Sequence, residues 1–283
     1  MDQAIVRRLE VDGAAIDDGS ECYVIAEIGH NHQGKLETAM ELFRAAKECG
    51  ASAVKLQKRD NRRLYTRAMY DKPYDNENSF APTYGAHREA LEFGPAEYRA
   101  LQECAREVGV TFFATAFDLP SVDFLSALDM PAYKLASGDL RNTPLLKAVA
   151  EIGRPMFVST GAATIEDVQR AYDLIMPINP RLSLLQWTAG YPAAFEELDL
   201  RVIETYRRRF PEVVIGLSAH DSGIAMSVAA YVLGARVIEK HFTLNRSMKG
   251  TDHAFSLEPV GLRKMVRDLV RVRSAMGDGT KRT

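Results

Sequence analysis

Two histidines stand where short apolar runs end. His220 follows Val213-Val-Ile-Gly-Leu-Ser218, and His241 closes Val237-Ile-Glu-Lys-His241. In extended chain every second side chain shares a face, so Ser218 pairs with His220 and Glu239 with His241. Two imidazoles on neighbouring strands reach one ion and leave it open positions, the pattern of a catalytic rather than a structural metal site. Two satisfied core or rim histidines fit the same spacing, and both readings stand at this point.

Lys55 and Lys134 lie inside apolar runs, Ala53-Val-Lys-Leu-Gln57 and Ala132-Tyr-Lys-Leu-Ala136. A buried charge needs a partner. Internal ion pairs with Glu27 or Glu239 would supply one. An anionic substrate, phosphate or carboxylate, would supply another, held by both lysines and the hydroxyls of Thr115, Ser137, Ser159 and Ser218. A Schiff-base lysine is the third reading.

Glu27 opens the loop Glu27-Ile-Gly-His-Asn-His-Gln-Gly34 and suits a general acid/base or a hydroxyl acceptor. His30 and His32 in that loop fit helix entry as well as chemistry. Asp252, in Lys249-Gly-Thr-Asp-His253, suits sugar hydroxyls or a plain turn. Cys22, Cys49 and Cys104 are odd in number and widely spaced, so they read as core or surface thiols in a reducing compartment. No G-x-S-x-G, H-E-x-x-H or P-loop pattern is present.

The elements that must position these groups alternate strictly. Strands are predicted at Tyr23–Ala26, Ala53–Gln57, Thr111–Thr115, Ala132–Ala136, Pro155–Ser159, Leu182–Gln186, Val213–Ser218 and Val237–His241. Each is followed by a helical pattern: Leu36–Cys49, Ala96–Val108, Ser121–Leu128, Pro144–Ile152, Ile165–Met176, Leu200–Phe210, Ile224–Leu233 and Val260–Met276. Glycines 50, 109, 153 and 234 stand where helix C-caps belong. Eight β–α units predict a closed (β/α)8 TIM barrel of class α/β, rather than an open sheet with a G-x-G-x-x-G turn.

Barrel enzymes carry their sites at the C-terminal strand ends. Here every predicted strand ends in polar side chains: Glu27; Lys55 and Gln57; Thr115; Lys134 and Ser137; Ser159 and Thr160; Gln186 and Thr188; Ser218 and His220; Glu239 and His241. Two additions decorate the barrel. Residues 1–20 read as a β-hairpin (Ile5–Val11, a turn at Asp12-Gly13, Ala14–Ile16) that caps the bottom, leaving residues 21–283 as the barrel domain. Residues 58–95 form a long connection, too aromatic for a plain linker. Its Lys58, Arg62, Arg63 and Arg88 are either contacts for a sugar phosphate or solvated loop cations.

Composition excludes several classes. With 36 Lys+Arg against 38 Asp+Glu the net charge is -2, so no bulk basic field exists for nucleic acid. No apolar run approaches membrane-spanning length, and residues 1–20 lack a signal-peptide core. A cytoplasmic location is expected.

The motifs together resemble the sialic acid synthase family, the phosphoenolpyruvate-dependent nonulosonic acid synthases. The resemblance rests on Ile25-Ala-Glu-Ile-Gly-His-Asn-His-Gln-Gly34, Lys55-Leu-Gln-Lys58, Thr83-Tyr-Gly-Ala-His-Arg88 and Tyr133-Lys-Leu-Ala-Ser-Gly138. It continues through Ser159-Thr-Gly161, Ser218-Ala-His220, Gly234-Ala-Arg-Val-Ile-Glu-Lys-His241 and Gly250-Thr-Asp-His253, all in the family's order. The tyrosine-rich loop and Leu91-Glu-Phe93 are similar to the animal-type branch.

The resemblance implies a TIM barrel that condenses phosphoenolpyruvate with a mannosamine- or mannose-type aldose, with or without a 6-phosphate. The products are a nine-carbon 3-deoxy-2-keto acid and phosphate. It implies a divalent ion, manganese or alternatively magnesium or cobalt, held by His220 and His241. The phosphoenolpyruvate groups match Lys55, Thr115, Lys134, Ser137, Ser159 and Ser218. The sugar groups match Glu27, Gln57, Phe117, Tyr191 and Asp252, and Glu239 is counted with the substrate-binding residues. Glu27, Lys55 and Lys134 are the expected catalytic side chains. In that chemistry C3 of phosphoenolpyruvate attacks the aldehyde carbon, water adds at C2, and C–O cleavage releases phosphate. A homodimer is the implied assembly.

The sequence also departs from the family. Thr188-Ala-Gly-Tyr191 places Ala189 where the family carries a hydrogen-bonding residue, and Ser-Ala-His replaces the family's Ser-Asp-His or Ser-Gly-His. Typical members continue into a C-terminal antifreeze-like domain that supplies an arginine to the partner's N-acyl group; here Thr283 is the last residue. A barrel acting without that arginine is expected to favour an aldose lacking N-acetyl. The rival readings are a synthase of shorter 3-deoxy acids, a non-catalytic sugar-phosphate-binding barrel, and a Schiff-base aldolase.

Overall fold

The computed structural model describes residues 7–190 and 193–281. Its centre is a closed barrel of eight parallel strands in the order β10-β3-β4-β5-β6-β7-β8-β9. These are β3 (Tyr23–Gly29), β4 (Ala53–Lys58), β5 (Thr111–Ala116), β6 (Tyr133–Leu135), β7 (Met156–Ser159), β8 (Leu182–Gln186), β9 (Val214–Ala219) and β10 (Val237–His241). A two-stranded antiparallel sheet, β1 (Arg8–Val11) and β2 (Ala14–Asp17), precedes them. The predicted strands and the barrel closure are as observed, within a residue or a few at each end. Ile5 and Val6 of the predicted hairpin lie outside the described residues.

The outer ring holds α1 (Leu36–Glu48), α5 (Pro95–Val108), α6 (Leu119–Ala127), α7 (Thr143–Glu151), α8 (Ile165–Ile175), α9 (Val202–Arg209), α10 (Ala225–Val232) and α11 (Pro259–Met276). Helix α5 shows why these segments are helical. Pro95 takes the first turn, and Glu97 reaches back to the Gly94 N–H at 3.0 Å. Tyr98, Leu101, Cys104 and Ala105 form the buried stripe. Gly109 ends the helix in the left-handed conformation, φ 71°, which a side chain would resist.

The barrel interior is layered by the two-residue period. Near the strand starts, Tyr23, Ile25, Ala53, Phe113, Ala132, Phe157, Leu185, Val214 and Val237 form one apolar cluster with Leu9, Val11 and Ile16 of the hairpin. The hairpin therefore plugs the bottom, and each plug side chain is buried. One period further along the strands the interior turns polar. Glu27 is level with Lys55 on one side and His241 on the other, Thr115 with Lys134, and Glu239 with Ser218. Burial of the lower layer stabilises each Leu, Val or Ile by about 1.5–3 kcal/mol, which helps offset holding charges above it.

The connection at residues 58–95 is folded. It contains α2 (Asn61–Leu64), α3 (Arg67–Tyr70) and α4 (Tyr84–Glu89), each N-capped by a side chain: Asp60, Thr66 and Thr83. Tyr84 stands edge-on to Tyr65 and to Tyr74, and Tyr74 packs on His87. Helices this short carry no periodic signal, so only the caps announce them. The segment is tied down by Lys58 to Glu92 at 3.2 Å and by the Gly250 N–H to Asn78 Oδ1 at 2.9 Å. It forms a roof over one side of the barrel mouth.

Candidate active site

At the C-terminal strand ends lies a cavity of about 850 Å³. Its lining includes Glu27, Lys55, Gln57, Thr115, Phe117, Lys134, Ser137, Ser159, Ser218, His220, Glu239, His241 and Asp252. Every described candidate residue is thus brought to one place. Tyr191 lies outside the described residues. Thr160, Gln186 and Thr188, also strand-end residues, instead bond Leu185 O, Leu198 O and Glu197 O and line a separate side pocket, with Ala189.

Two lysines and two glutamates form the floor. Lys55 Nζ lies 2.6 Å from Glu27 Oε2 and 3.6 Å from Glu239 Oε1, and donates to Thr115 Oγ1 at 2.7 Å. Lys134 Nζ donates to Ser159 Oγ at 2.6 Å and lies 3.9 Å from Glu239 Oε1. Ser218 Oγ is 3.5 Å from the same oxygen. The lysines are therefore internally paired, and each also holds a hydroxyl aimed with it into the cavity. Burial depresses the Lys134 ammonium to about 8, with Glu239 opposing and Lys55 adding to the effect. Burial alone would raise the Glu239 carboxyl; Lys134 and Lys55 beside it outweigh that and hold it low.

The histidines face each other above this floor, ring centroids 5.0 Å apart. His220 Nδ1 is 3.3 Å from Ser218 O, which turns its Nε2 edge away from the backbone. Burial and the neighbouring His241 keep His220 neutral, with a lone pair available. His241 Nδ1 is buried without a hydrogen-bond partner and lies 4.0 Å from Asp252 Oδ2. Phe255 packs against both rings. Among the described residues no group of three His, Cys, Asp or Glu is placed to share an ion. The two imidazoles alone would be the protein's ligands.

Gln57 carries the polar network outward. Its Nε2 donates to Glu27 Oε1 at 2.6 Å, and its Oε1 accepts from Arg59 Nη2 at 2.7 Å. Gly29 faces this network in the left-handed region, φ 53°, where the β3–β4 register shifts. A Cβ there would sit 3.2 Å from both Gln57 Nε2 and Glu27 Oε1. Trp187 walls the cavity beside His220, ring centroids 5.2 Å apart. A Cβ at Gly161 would fall 1.7 Å from the indole, so glycine is required behind it.

The structure favours the structural reading of His32 and brings further residues to the cavity. His32 is a packing residue: it stacks on Phe93 at 4.2 Å and accepts from the Gly34 N–H. Ser137 accepts from the Gly161 N–H at the cavity edge. Arg59, Tyr65, Tyr84 and Asp139 line the cavity and were not singled out for it from sequence. Arg59 follows the strand end by one residue, and its burial comes from the roof, which the strand pattern does not reveal.

Fold and site together define a (β/α)8-barrel enzyme with a charged, buried floor and an open polar mouth. Residues 42–281 match the NeuB family. Over 260 residues the chain is 44% identical to N-acetylneuraminate-9-phosphate synthase of Homo sapiens, covering 92% of this chain and 72% of that one. It is 35% identical over 269 residues to N,N'-diacetyllegionaminic acid synthase of Legionella pneumophila, covering 92% and 75%. A crystal structure of N-acetylneuraminic acid synthetase from Leptospira borgpetersenii, in complex with citrate, superposes with a TM-score of 0.88 at 28% identity, covering 98% of this chain and 93% of that one. The chain belongs to the NeuB family, and is accordingly a carbohydrate-biosynthetic transferase of the sialic acid synthase type. Among the described residues no helix is long and apolar enough to cross a membrane.

Proposed function

We propose that the chain condenses phosphoenolpyruvate with the aldehyde of a mannosamine- or mannose-type aldose 6-phosphate. The products would be a nine-carbon 3-deoxy-2-keto acid 9-phosphate and inorganic phosphate. The observation that carries this is the floor: two buried lysines, each coupled to a hydroxyl of the next strand, beneath a facing pair of histidines. The likeness to the human 9-phosphate synthase supports a phosphorylated acceptor.

Lys55, Lys134, Thr115, Ser137, Ser159 and Ser218 bind the carboxylate and phosphate of phosphoenolpyruvate, fixing its C3 toward the acceptor. Glu27, Gln57, Phe117 and Asp252 hold the sugar. C3 attacks the aldehyde carbon and forms the new C–C bond. The carbonyl oxygen takes a proton, made up by the one that the water adding at C2 gives up, and Glu27, bonded to Lys55 and Gln57, is the group positioned to relay it. Water adds at C2, and the C2–O bond breaks as phosphate leaves against the lysines.

His220 and His241 would hold a divalent ion, manganese or alternatively magnesium or cobalt. The fit rests on the two facing imidazoles, His220 held neutral by its burial, and the partnerless buried Nδ1 of His241. The floor's two lysines and two glutamates cancel, so a substrate with two anionic groups benefits from further positive charge there. When bound, the ion supplies Lewis-acid polarisation of the acceptor carbonyl.

Phosphate release with manganese is the test, using N-acetylmannosamine 6-phosphate, N-acetylmannosamine and mannose as acceptors, with product mass read in parallel. Acceptor-dependent, EDTA-sensitive release and a nine-carbon product are expected. Binding without release would favour a non-catalytic sugar-phosphate barrel. A shorter product would favour a different 3-deoxy acid synthase, and borohydride trapping would favour the aldolase.

A further inference from the structure

The roof carries many cations, and most are already spoken for. Arg62 pairs with Glu89 at 3.0 Å, Arg63 with Asp60 at 3.6 Å, Arg67 with Asp71 at 3.5 Å and Lys58 with Glu92 at 3.2 Å. Two differ. Arg59 is only 8% exposed, yet its guanidinium meets the amide oxygen of Gln57 at 2.7 Å and the face of Phe117 at 3.6 Å rather than a carboxylate. Arg88 has no ion pair among the described residues, and its Nε is buried without a hydrogen-bond partner. Both line the cavity.

Glu92, already paired with Lys58, is the carboxylate that acts on Arg59 from nearby, and it is shared rather than dedicated. Burying a charge so weakly partnered is costly, and two such cations in one cavity repel each other. The repulsion registers on their neighbours. Burial first, then Arg88, brings Arg59 down to about 10, and burial with Arg88 and Arg59 keeps His30 neutral. Guanidinium forks suit a phosphomonoester, which offers several oxygens to two planar donors.

We infer that Arg59 and Arg88, roofed by Tyr65 and Tyr84, form an anion seat for the acceptor's phosphomonoester. The seat is separate from the floor that takes phosphoenolpyruvate. Gln57 stands between the two zones, bonded to Glu27 on one side and Arg59 on the other. The sugar then spans from the histidines to the roof, and the roof selects acceptors by their far end. This inference rests on the proposed use of a phosphorylated acceptor.

The test compares kcat/KM for N-acetylmannosamine 6-phosphate and N-acetylmannosamine in the unaltered enzyme, Arg88→Ala and Arg88→Lys. The unaltered enzyme should favour the phosphorylated sugar. In Arg88→Ala that preference should fall by about 10- to 100-fold, mainly through KM, as a charge-assisted hydrogen bond is lost. Arg88→Lys should recover only part, having charge but no fork. The KM for phosphoenolpyruvate and the urea midpoint separate this from general damage. An unchanged preference in a folded Arg88→Ala, or a preference of the unaltered enzyme for the unphosphorylated sugar, overturns the seat. If no acceptor supports phosphate release, the synthase reading fails instead. The seat is then decided by calorimetric titration of the 6-phosphate sugar into the unaltered and Arg88→Ala proteins, where equal affinity or no binding refutes it.

Discussion

Lys240 donates to both the carbonyl and the carboxylate of Asp221, at 2.6 and 2.8 Å, with each side chain 1% exposed. Asp221 follows His220 and Lys240 precedes His241, so the pair clamps the two segments that carry the imidazoles. The Lys240 side chain points out of the barrel while its neighbours Glu239 and His241 point in, as the strand period requires. Asp221→Asn is expected to cost about 3–5 kcal/mol, because Lys240 is left buried without its counter-charge. Urea unfolding measures this. The double variant with Lys240→Met should recover part of the loss, since no charge remains buried.

Lys134 sets a pH limit. Its ammonium, held at about 8 by burial, is charged below that value and neutral above it. Only the charged form attracts phosphoenolpyruvate. Its kcat/KM should therefore hold up to about pH 8 and fall as pH rises through it. Lys134→Arg, which stays charged, should move or remove that basic limb, and a profile unaffected by this exchange would count against the role.

Ser159→Ala removes the hydroxyl that Lys134 holds at 2.6 Å. The KM for phosphoenolpyruvate should rise by about tenfold, with a much smaller effect on the acceptor's KM, reflecting one lost hydrogen bond to a charged group.

His220→Ala and His241→Ala should each abolish measurable manganese binding, read by calorimetry or electron paramagnetic resonance. Activity should drop to the level of the EDTA-treated enzyme. Retained stoichiometric binding in both variants would exclude the imidazole pair as ligands.

Leu9 lies in the apolar plug, 2% exposed and one storey below the chemistry. Leu9→Ala should cost about 2–5 kcal/mol of stability through the cavity it leaves. KM values for both substrates should stay as they were, as tested by thermal unfolding and kinetics on the same sample.

The barrel was readable because strand and helix periods alternate without interruption, and the floor because alternate residues of a strand share a face. Lys55, Lys134, His220 and His241 therefore announced themselves. Arg59 did not, since it lies one residue past β4 and is buried by a distant segment. Arg88 was visible only as one loop cation among several; that Arg62 and Arg63 find carboxylates and Arg88 does not is a tertiary fact. The short helices of the roof escaped for a related reason: four to six residues make too little of a 3.6-residue period to show.

Trp187 is the single tryptophan of the chain, and it stands against His220 in the cavity wall. The protein's indole emission therefore comes from one known spot rather than an average over the molecule. A paramagnetic ion seated at the imidazoles would quench it, and a sugar entering beside it would shift it. Occupancy of the mouth is thus readable by eye of a fluorimeter, without label, substrate turnover or added reporter.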